Sequence, residues 1–431
     1  MKKSLFFFVI GLFAVLISPF IDNKLLVAFI FLLSQAFSCI LIIIHQGNGL
    51  DFRDIRLVFV FCLLLYTMFY PMVVLLEFLS LPYFLDTTVY LFGTSFSGLY
   101  FAFLLFPYKL NYSTPAHNKK NLRVNPVIFN TIFFGIFVLL LLNRGIPLLS
   151  ASTVMSRTEI FETNSQLWVV LMMIISASSI FIIINYYKLN ILSKVVFILT
   201  TFSFIFIHAQ MGNRRDYLPI ILSVFCLYLF RKKININFKL IFISIVLFIF
   251  SFWVSISRDA NSFRLSNNDK VELAISSNEF IYPMQTLLFV IRDNWDFRLG
   301  ETYLLMPFQT LVPRVIYSSK PKSLGSELVI KSTGGGQGYA FTPTTEAYLN
   351  FGPVGPFIIH FFFGLFLVIL VKKVSLNHNL LTYIIFYSLV FDFMRGDFSS
   401  FTYQLLVMGF IIWFYKLLQI KIVNKNENIS R

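Results

Sequence analysis

Residues 25–44 read LLVAFIFLLSQAFSCILIII, a run without a single charged side chain. A run of this length spans the hydrocarbon core of a bilayer as a helix, because a helix satisfies its own backbone hydrogen bonds in lipid. The rest of the chain is similar: 57% of its 431 residues are hydrophobic and only 13% are charged, and its mean hydropathy is +0.78. This composition excludes an ordinary soluble domain.

Apolar segments of this kind recur along the chain and predict an all-α polytopic membrane protein with about 12 transmembrane helices. We place them near residues 4–20, 25–44, 57–79, 88–107, 127–142, 166–187, 195–210, 217–230, 240–257, 351–371, 380–394 and 402–419. An even number of spans puts both termini on the same side of the membrane.

The basic residues indicate which side that is. The turns on the side of the termini carry, with both tails, about 20 Lys and Arg, whereas the short turns opposite carry about six. Lys and Arg concentrate in cytoplasmic turns, so both termini are predicted to be cytoplasmic. The same rule accounts for the net charge of +15 without nucleic-acid binding.

The two sides also differ in the kind of basic residue. Cytoplasmic turns hold about 15 Lys and five Arg, whereas the external side holds about 10 Arg and five Lys. Topology requires only positive charge, but the planar guanidinium binds phosphate in two places. A phosphate-bearing ligand on the outer face would explain the excess of Arg over Lys there. The alternative is chance, together with Arg side chains at helix ends that extend their charged groups to the membrane surface.

The longest polar stretch divides the chain into an N-terminal bundle (1–257), a large external loop (258–350) and a C-terminal membrane region (351–431). Inside the loop, 302–316 is apolar but broken by Pro307 and Pro313, which predicts an interfacial or re-entrant segment. The glycines of 334–338 lack the Gly-Lys-Ser/Thr ending of a nucleotide-binding loop. They are interpreted as a flexible loop.

Four arginines on the external side are candidates for binding an anion: Arg214, Arg215, Arg258 and Arg314. Arg214 and Arg215 occupy a tight turn before a helix, where a helix N-terminus also favours negative charge. Arg314 follows Pro313, which restricts its direction. Each could instead be an ordinary solvated or headgroup-bound charge.

Glu346 is the candidate catalytic carboxylate. It lies on the external side near aromatic residues and could accept a proton from a sugar hydroxyl. Tyr339, Tyr348 and Trp295 are candidates for stacking on sugar rings. The alternative for Glu346 is a structural role at a helix N-terminus, where an acidic residue complements the dipole.

Other polar residues lie within apolar segments. Asp392 and Arg395 form either a functional site or a buried pair, and Arg395 is a further candidate for substrate binding. His208 and His360 are interpreted as hydrogen-bonded core residues. Cys39, Cys62 and Cys226 are interpreted as small hydrophobes, and no spacing on the external side indicates a metal site or a bound cofactor.

Several of these stretches resemble the Wzy-type polymerases of bacterial O-antigen and capsule assembly. The resemblance rests on Gly212-Asn213-Arg214-Arg215, on Gly300 leading through Pro313-Arg314 to Lys320-Pro321, on Glu346-Ala-Tyr-Leu-Asn-Phe-Gly352, and on the many-helix layout with one dominant external loop. The arrangement of helices and loop resembles that of the family over most of the chain, whereas the matching motifs cover only short stretches.

The resemblance implies a GT-C-like membrane glycosyltransferase in the bacterial inner membrane. Its substrate would be an undecaprenyl-diphosphate-linked oligosaccharide, used without a nucleotide sugar, cofactor or required metal. A flippase and a chain-length regulator are its expected partners. An O-antigen ligase is the nearer alternative and a transporter the more distant one.

Overall fold

The computed structural model describes residues 1–47, 49–109, 125–143, 165–210, 214–231, 280–312, 316–317, 319, 321, 323–333, 341–375 and 380–427. Within these ranges all regular secondary structure is helical, as the sequence predicts. The first eight helices are α1 Lys2–Ile17, α2 Lys24–Gln46, α3 Ile55–Leu75, α4 Leu85–Leu105, α5 Pro126–Asn143, α6 Ser165–Ile184, α7 Ile191–Gln210 and α8 Arg214–Arg231. The others are α9 Tyr282–Arg292, α10 Glu301–Leu304, α11 Met306–Leu311, α12 Leu324–Leu328, α13 Pro343–Phe351, α14 Gly355–Ser375, α15 Leu380–Phe393 and α16 Phe398–Glu427.

Eight helical stretches in the described part of the chain are long and apolar enough to cross a bilayer, which supports the polytopic membrane class. Three shorter apolar helices, Trp168–Ile184, Tyr217–Phe230 and Leu380–Phe393, match further predicted segments. The predicted span at 240–257 lies outside the described residues. The total of about 12 spans therefore stays a prediction.

Several helix boundaries differ from the predicted ones by a few residues, and two of these differences concern the helices around the candidate site. The last helix begins at Phe398 rather than near 402, because Asp397 caps it: Asp397 Oδ1 accepts a hydrogen bond from the Ser400 N–H at 2.7 Å. The apolar stretch near 351–371 is preceded by a separate helix, α13, and the long helix α14 begins only at Gly355. Gly352 separates the two with a φ of +62°, a conformation that favours glycine.

The segment predicted to be interfacial forms two short helices, α10 and α11. Pro307 lies in the first turn of α11, where its missing N–H is no loss. Leu304 and Phe308 are exposed while Met306 and Pro307 are buried. An apolar face turned outward is what contact with lipid requires, and location at the outer leaflet stays a prediction.

The described residues form four hydrophobic cores, of which the smallest comprises Val127, Ile182, Leu189 and Phe197. The largest includes residues of α2, α3, α4, α8, α14, α15 and α16; the free thiols of Cys39 and Cys226 belong to it, as predicted. A second lies among α5, α6, α7 and α8 around Phe137, Trp168 and Phe204. The third lies under the external loop and comprises Val290, Met306, Leu324, Leu328, Phe341 and Leu349.

Small residues let α4 and α14 approach each other closely. A Cβ atom added at Gly98 would overlap the carbonyl oxygen of Phe357, and one added at Gly364 would lie 2.5 Å from the Cβ of Ala102. In a membrane, where lipid is as apolar as the side chains, such close packing is a main source of helix association. This interface fixes α14, and with it α13, against the bundle.

We expect Gly98→Ala to lower the thermal stability of the detergent-solubilised protein, because the new methyl group meets main-chain atoms that cannot rotate away. Overpacking of this kind costs about 1–3 kcal/mol. Gly409→Ala is the matched control, since nothing lies within 4 Å of a Cβ atom at that helical position. Equal melting temperatures for the two variants would contradict the close approach of α4 and α14.

Candidate functional site

The short helix α13 positions the candidate site. Thr342 caps its N-terminus by accepting a hydrogen bond from the Thr345 N–H at 3.1 Å, and Pro343 occupies the first turn. The middle of the helix packs tightly on the start of α14: a Cβ atom at Gly355 would overlap the carbonyl oxygen of Ala347. The helix is therefore held at its N-terminus and at its middle.

One polar side chain of α13 faces the membrane bundle. The Thr344 hydroxyl lies 3.0 Å from the Ser95 hydroxyl of α4 and 3.5 Å from His360 Nε2 of α14. The other ring nitrogen of His360, Nδ1, is 2.8 Å from the carbonyl oxygen of Pro356. His360 is thus a hydrogen-bonded core residue, as predicted from the sequence.

Asn350, at the other end of α13, fixes the external loop. Its Oδ1 accepts a hydrogen bond from the Gly300 N–H at 3.0 Å, and its Nδ2 donates to the Thr302 hydroxyl at 2.7 Å. Nδ2 also donates to the Glu346 carbonyl oxygen at 2.7 Å. One buried amide thereby determines where α10 begins.

Glu346 lies on α13 with a fully buried side chain, 1% exposed. Its Oε2 accepts a hydrogen bond from the Phe398 N–H at 2.7 Å. Phe398 is the first residue of α16, so this N–H is one that the helix itself cannot satisfy. Glu346 therefore lies in the first turn of its own helix, as the alternative interpretation of the sequence expects, and it also caps the N-terminus of α16.

Asp397 is a second buried carboxylate at the same helix start, 3% exposed. It accepts hydrogen bonds from the Ser399 hydroxyl at 2.9 Å, from the Ser400 N–H at 2.7 Å and from the Leu324 N–H at 3.1 Å. Donors thus surround Asp397 and stabilise its charge. It acts as an anchor between α16 and α12.

Tyr303 of α10 is the third residue of the candidate site, together with Glu346 and Asp397. Its ring lies parallel to that of Phe351 at 6.2 Å and tilted against that of Phe398 at 5.2 Å. Burial, and to a lesser extent the negative charge of Glu346, raise the pKa of the Tyr303 phenol well above its ordinary value. The phenol therefore stays protonated and able to donate a hydrogen bond.

Charged residues join the flanking loop segments. Arg298 Nη2 lies 2.5 Å from Glu327 Oε1, and the same oxygen is 2.8 Å from Lys331 Nζ. The Lys331 ammonium group also lies 4.6 Å from the centre of the Trp295 ring. This arrangement holds the segment 323–333 against the residues that precede α10.

The structure brings together some of the predicted site residues. Trp295 is partly buried against the third core and Lys331 covers one face of its ring, so only part of the indole is available for a sugar. Tyr348 is partly buried and packs edge-on against Phe297 at 5.9 Å. Arg395 is half-buried and lies in the turn between α15 and α16, three residues before Phe398.

The remaining predicted residues are not tested by the geometry. Arg258, Arg314 and Tyr339 lie outside the described residues. Arg214 and Arg215 are the first two residues of α8, and only their main chain is described. In the described part of the chain no group of three His, Cys, Asp or Glu side chains could hold a metal ion.

Sequence reasoning missed three residues of this site: Asn350 and Tyr303 as individual contributors, and Asp397 as the neighbour of Glu346. The signal for Asp397 was present, because Asp followed by Ser399-Ser400 is a helix-start pattern. Nothing in the sequence places Tyr303 beside Glu346, since 42 residues separate them. Comparisons of the chain with models of protein families, with curated proteins and with solved structures give no match.

We expect Asn350→Ala to loosen the start of α10. The substitution leaves the buried N–H of Gly300 and the hydroxyl of Thr302 without their partner, at a cost of about 1–3 kcal/mol. Hydrogen exchange followed by mass spectrometry should show faster exchange over residues 298–304. Asn185→Ala, which removes only a bond to the residue's own helix, serves as the control; identical exchange in both variants would contradict the role of Asn350.

Proposed function

We propose that this protein polymerises undecaprenyl-diphosphate-linked oligosaccharide repeat units into a surface polysaccharide at the external face of the bacterial inner membrane. The observation that carries the proposal is Glu346, a carboxylate with 1% exposure whose Oε2 accepts the Phe398 N–H, while Oε1 has no hydrogen-bond partner among the described residues. A carboxylate held in this way, facing away from the cytoplasm, is suited to accept a proton from a hydroxyl group. In this proposal the loop that carries Glu346 is outside the cytoplasm and both termini are cytoplasmic.

The proposed reaction joins two lipid-linked glycans. The growing chain is the donor: its bond to the lipid diphosphate breaks, the electron pair leaves with the diphosphate, and the anomeric carbon bonds to a hydroxyl of the incoming unit. The proton of that hydroxyl passes to Glu346. No nucleotide sugar takes part.

Negative charge develops on the diphosphate as the glycosidic bond breaks. Arg214, Arg215 and Arg314 are proposed to stabilise it, with Arg258 and Arg395 contributing to substrate binding. The enrichment of Arg over Lys on the external side supports this assignment. Tyr339, Tyr348 and the accessible part of Trp295 would contact the sugars.

An apolar cleft in the bundle supports the lipid-linked substrate. The cleft has a volume of about 430 Å³ and is lined on α8 by Ile220, Ile221, Val224 and Phe225. These residues follow Arg214 and Arg215 on the same helix. A polyprenyl tail lying in this cleft would therefore place its diphosphate toward the arginine-bearing end of α8.

The first test is a gel of surface polysaccharide from cells that lack the gene. We expect the ladder of chain lengths to collapse to a single repeat unit on its anchor, and expression of the gene to restore it. Complete loss of attached repeats, with lipid-linked polymer accumulating, would instead identify an O-antigen ligase. An unchanged ladder would contradict both enzymes and leave transport as the alternative.

In the restored strain we expect Arg215→Ala or Arg314→Ala to abolish long chains while the protein remains inserted and abundant. Loss of one such contact to the developing charge raises the barrier by about 2–4 kcal/mol. Lysine should restore activity poorly at either position, because it lacks the two-pronged geometry. Arg292→Ala is the control, since this external arginine pairs with Asp293 at the surface; wild-type chain lengths in all three variants would exclude the phosphate role.

A further inference from the structure

Two buried polar atoms of the site have no hydrogen-bond partner within the part of the chain that the structure describes: Tyr303 Oη and Glu346 Oε1. One is a donor and the other is an acceptor. Both side chains contact Phe398: the Tyr303 ring lies 5.2 Å from the Phe398 ring, and the Phe398 N–H donates to the carboxylate of Glu346. The Thr302 hydroxyl is a close neighbour of the same carboxylate.

Both atoms are held in place by contacts elsewhere on their side chains. Glu346 is fixed by the Phe398 N–H on Oε2, which leaves Oε1 to face another group. The Tyr303 ring packs against Phe351 and Phe398, and the start of its helix is fixed by Asn350. The protein itself therefore orients both side chains, as a preorganised site requires.

Keeping the phenol of Tyr303 and the carboxylate of Glu346 apart has an energetic cost. A buried donor or acceptor without a partner costs about 1–3 kcal/mol, and a direct hydrogen bond between phenol and carboxylate would remove that cost for both. The structure shows no such bond, since neither Tyr303 Oη nor Glu346 Oε1 has a hydrogen-bond partner among the described residues. What satisfies both atoms together is a group that donates to one and accepts from the other, and a hydroxyl does both.

We propose that Tyr303 and Glu346 together bind the attacking hydroxyl of the acceptor sugar; this inference rests on the proposed function. The hydroxyl donates its proton to Glu346 Oε1 and accepts a hydrogen bond from Tyr303 Oη. Its remaining lone pair forms the bond to the anomeric carbon of the donor. As that bond forms, the proton moves to Glu346 and the lipid diphosphate leaves with the electron pair of the broken bond.

Tyr303 is thus a catalytic residue that touches the nucleophile, and Glu346 is the base as well as a cap of the α16 N-terminus. The phenol itself loses no proton in the reaction. It fixes the direction of the nucleophile's lone pair, and a small error in that direction slows the attack strongly. Asp397, whose oxygens accept three hydrogen bonds, remains an anchor and takes no part in proton transfer.

The test uses the full-length protein in lipid nanodiscs. The probe is the undecaprenyl-diphosphate-linked repeat unit isolated from cells that lack the gene, and chain growth is followed with time. We expect Tyr303→Phe to lower kcat about 10- to 100-fold and Glu346→Gln to lower it further, on the order of 100- to 10,000-fold. Tyr83→Phe, which removes a hydroxyl from a side chain that is 84% exposed, should leave kcat unchanged.

Two further measurements separate catalysis from a structural role. Tyr303→Phe should keep or raise the melting temperature, because it removes a buried hydroxyl that lacks a partner. The double variant should be no slower than Glu346→Gln alone, since both residues act on one hydroxyl. If Tyr303→Phe accumulates poorly, fluorotyrosine is incorporated at position 303 instead. It retains the ring and makes the phenol a stronger hydrogen-bond donor. The KM for the lipid-linked unit should then fall.

The outcomes distinguish the two proposals. A wild-type protein that forms no polymer from this probe overturns the proposed function, and the Tyr303 assignment with it. An active wild type with unchanged kcat in Tyr303→Phe, or with unchanged KM for fluorotyrosine, overturns the Tyr303 assignment alone. A lowered melting temperature together with additive losses in the double variant also overturns it, because those results describe a packing residue.

Discussion

The hydrogen bond from the Phe398 N–H to Glu346 Oε2 is the contact on which the region around α13 depends. It joins the last membrane helix to α13, the short helix that precedes α14. A carboxylate buried without a basic partner is costly, and the N-terminus of a helix is a setting that reduces this cost by supplying a free N–H and a favourable dipole. Moving either helix would therefore expose the Glu346 carboxylate or leave it buried without its hydrogen bond.

The spacing of polar residues on α13 explains how one short helix can connect so many elements. Glu346 and Asn350 are four residues apart and lie on one face, whereas Thr344 lies two residues before Glu346 and so points to a different side. Thr344 accordingly contacts α4 and α14, Glu346 contacts α16, and Asn350 contacts the segment that begins α10. Helix α13 is a wedge between the membrane bundle and the external loop.

The sequence predicted the apolar helices of the described residues well, because the length of an apolar run is a local property that lipid imposes directly. It predicted the core role of His360, since the apolar residues around it in the sequence carried the signal. It did not predict that Asp397 and Tyr303 lie beside Glu346, nor that Lys331 covers a face of Trp295. Those placements depend on helix packing and on ion pairs between residues far apart in the sequence. The spacing of apolar residues along the chain carries no information about them. The Phe398 start of α16 was missed because hydropathy locates the apolar part of a helix and not its polar cap.

Helix α15 has only 14 residues, which gives it a length of roughly 21 Å against a hydrocarbon core of about 30 Å. If it starts at the cytoplasmic edge, beside Lys372 and Lys373, it ends well short of the outer surface. The turn that holds Asp397 then lies in a recess on the order of 10 Å deep. A glycosyl donor that reacts in such a recess is shielded from bulk water. The shortness of one helix would in this way favour transfer to a sugar over wasteful hydrolysis.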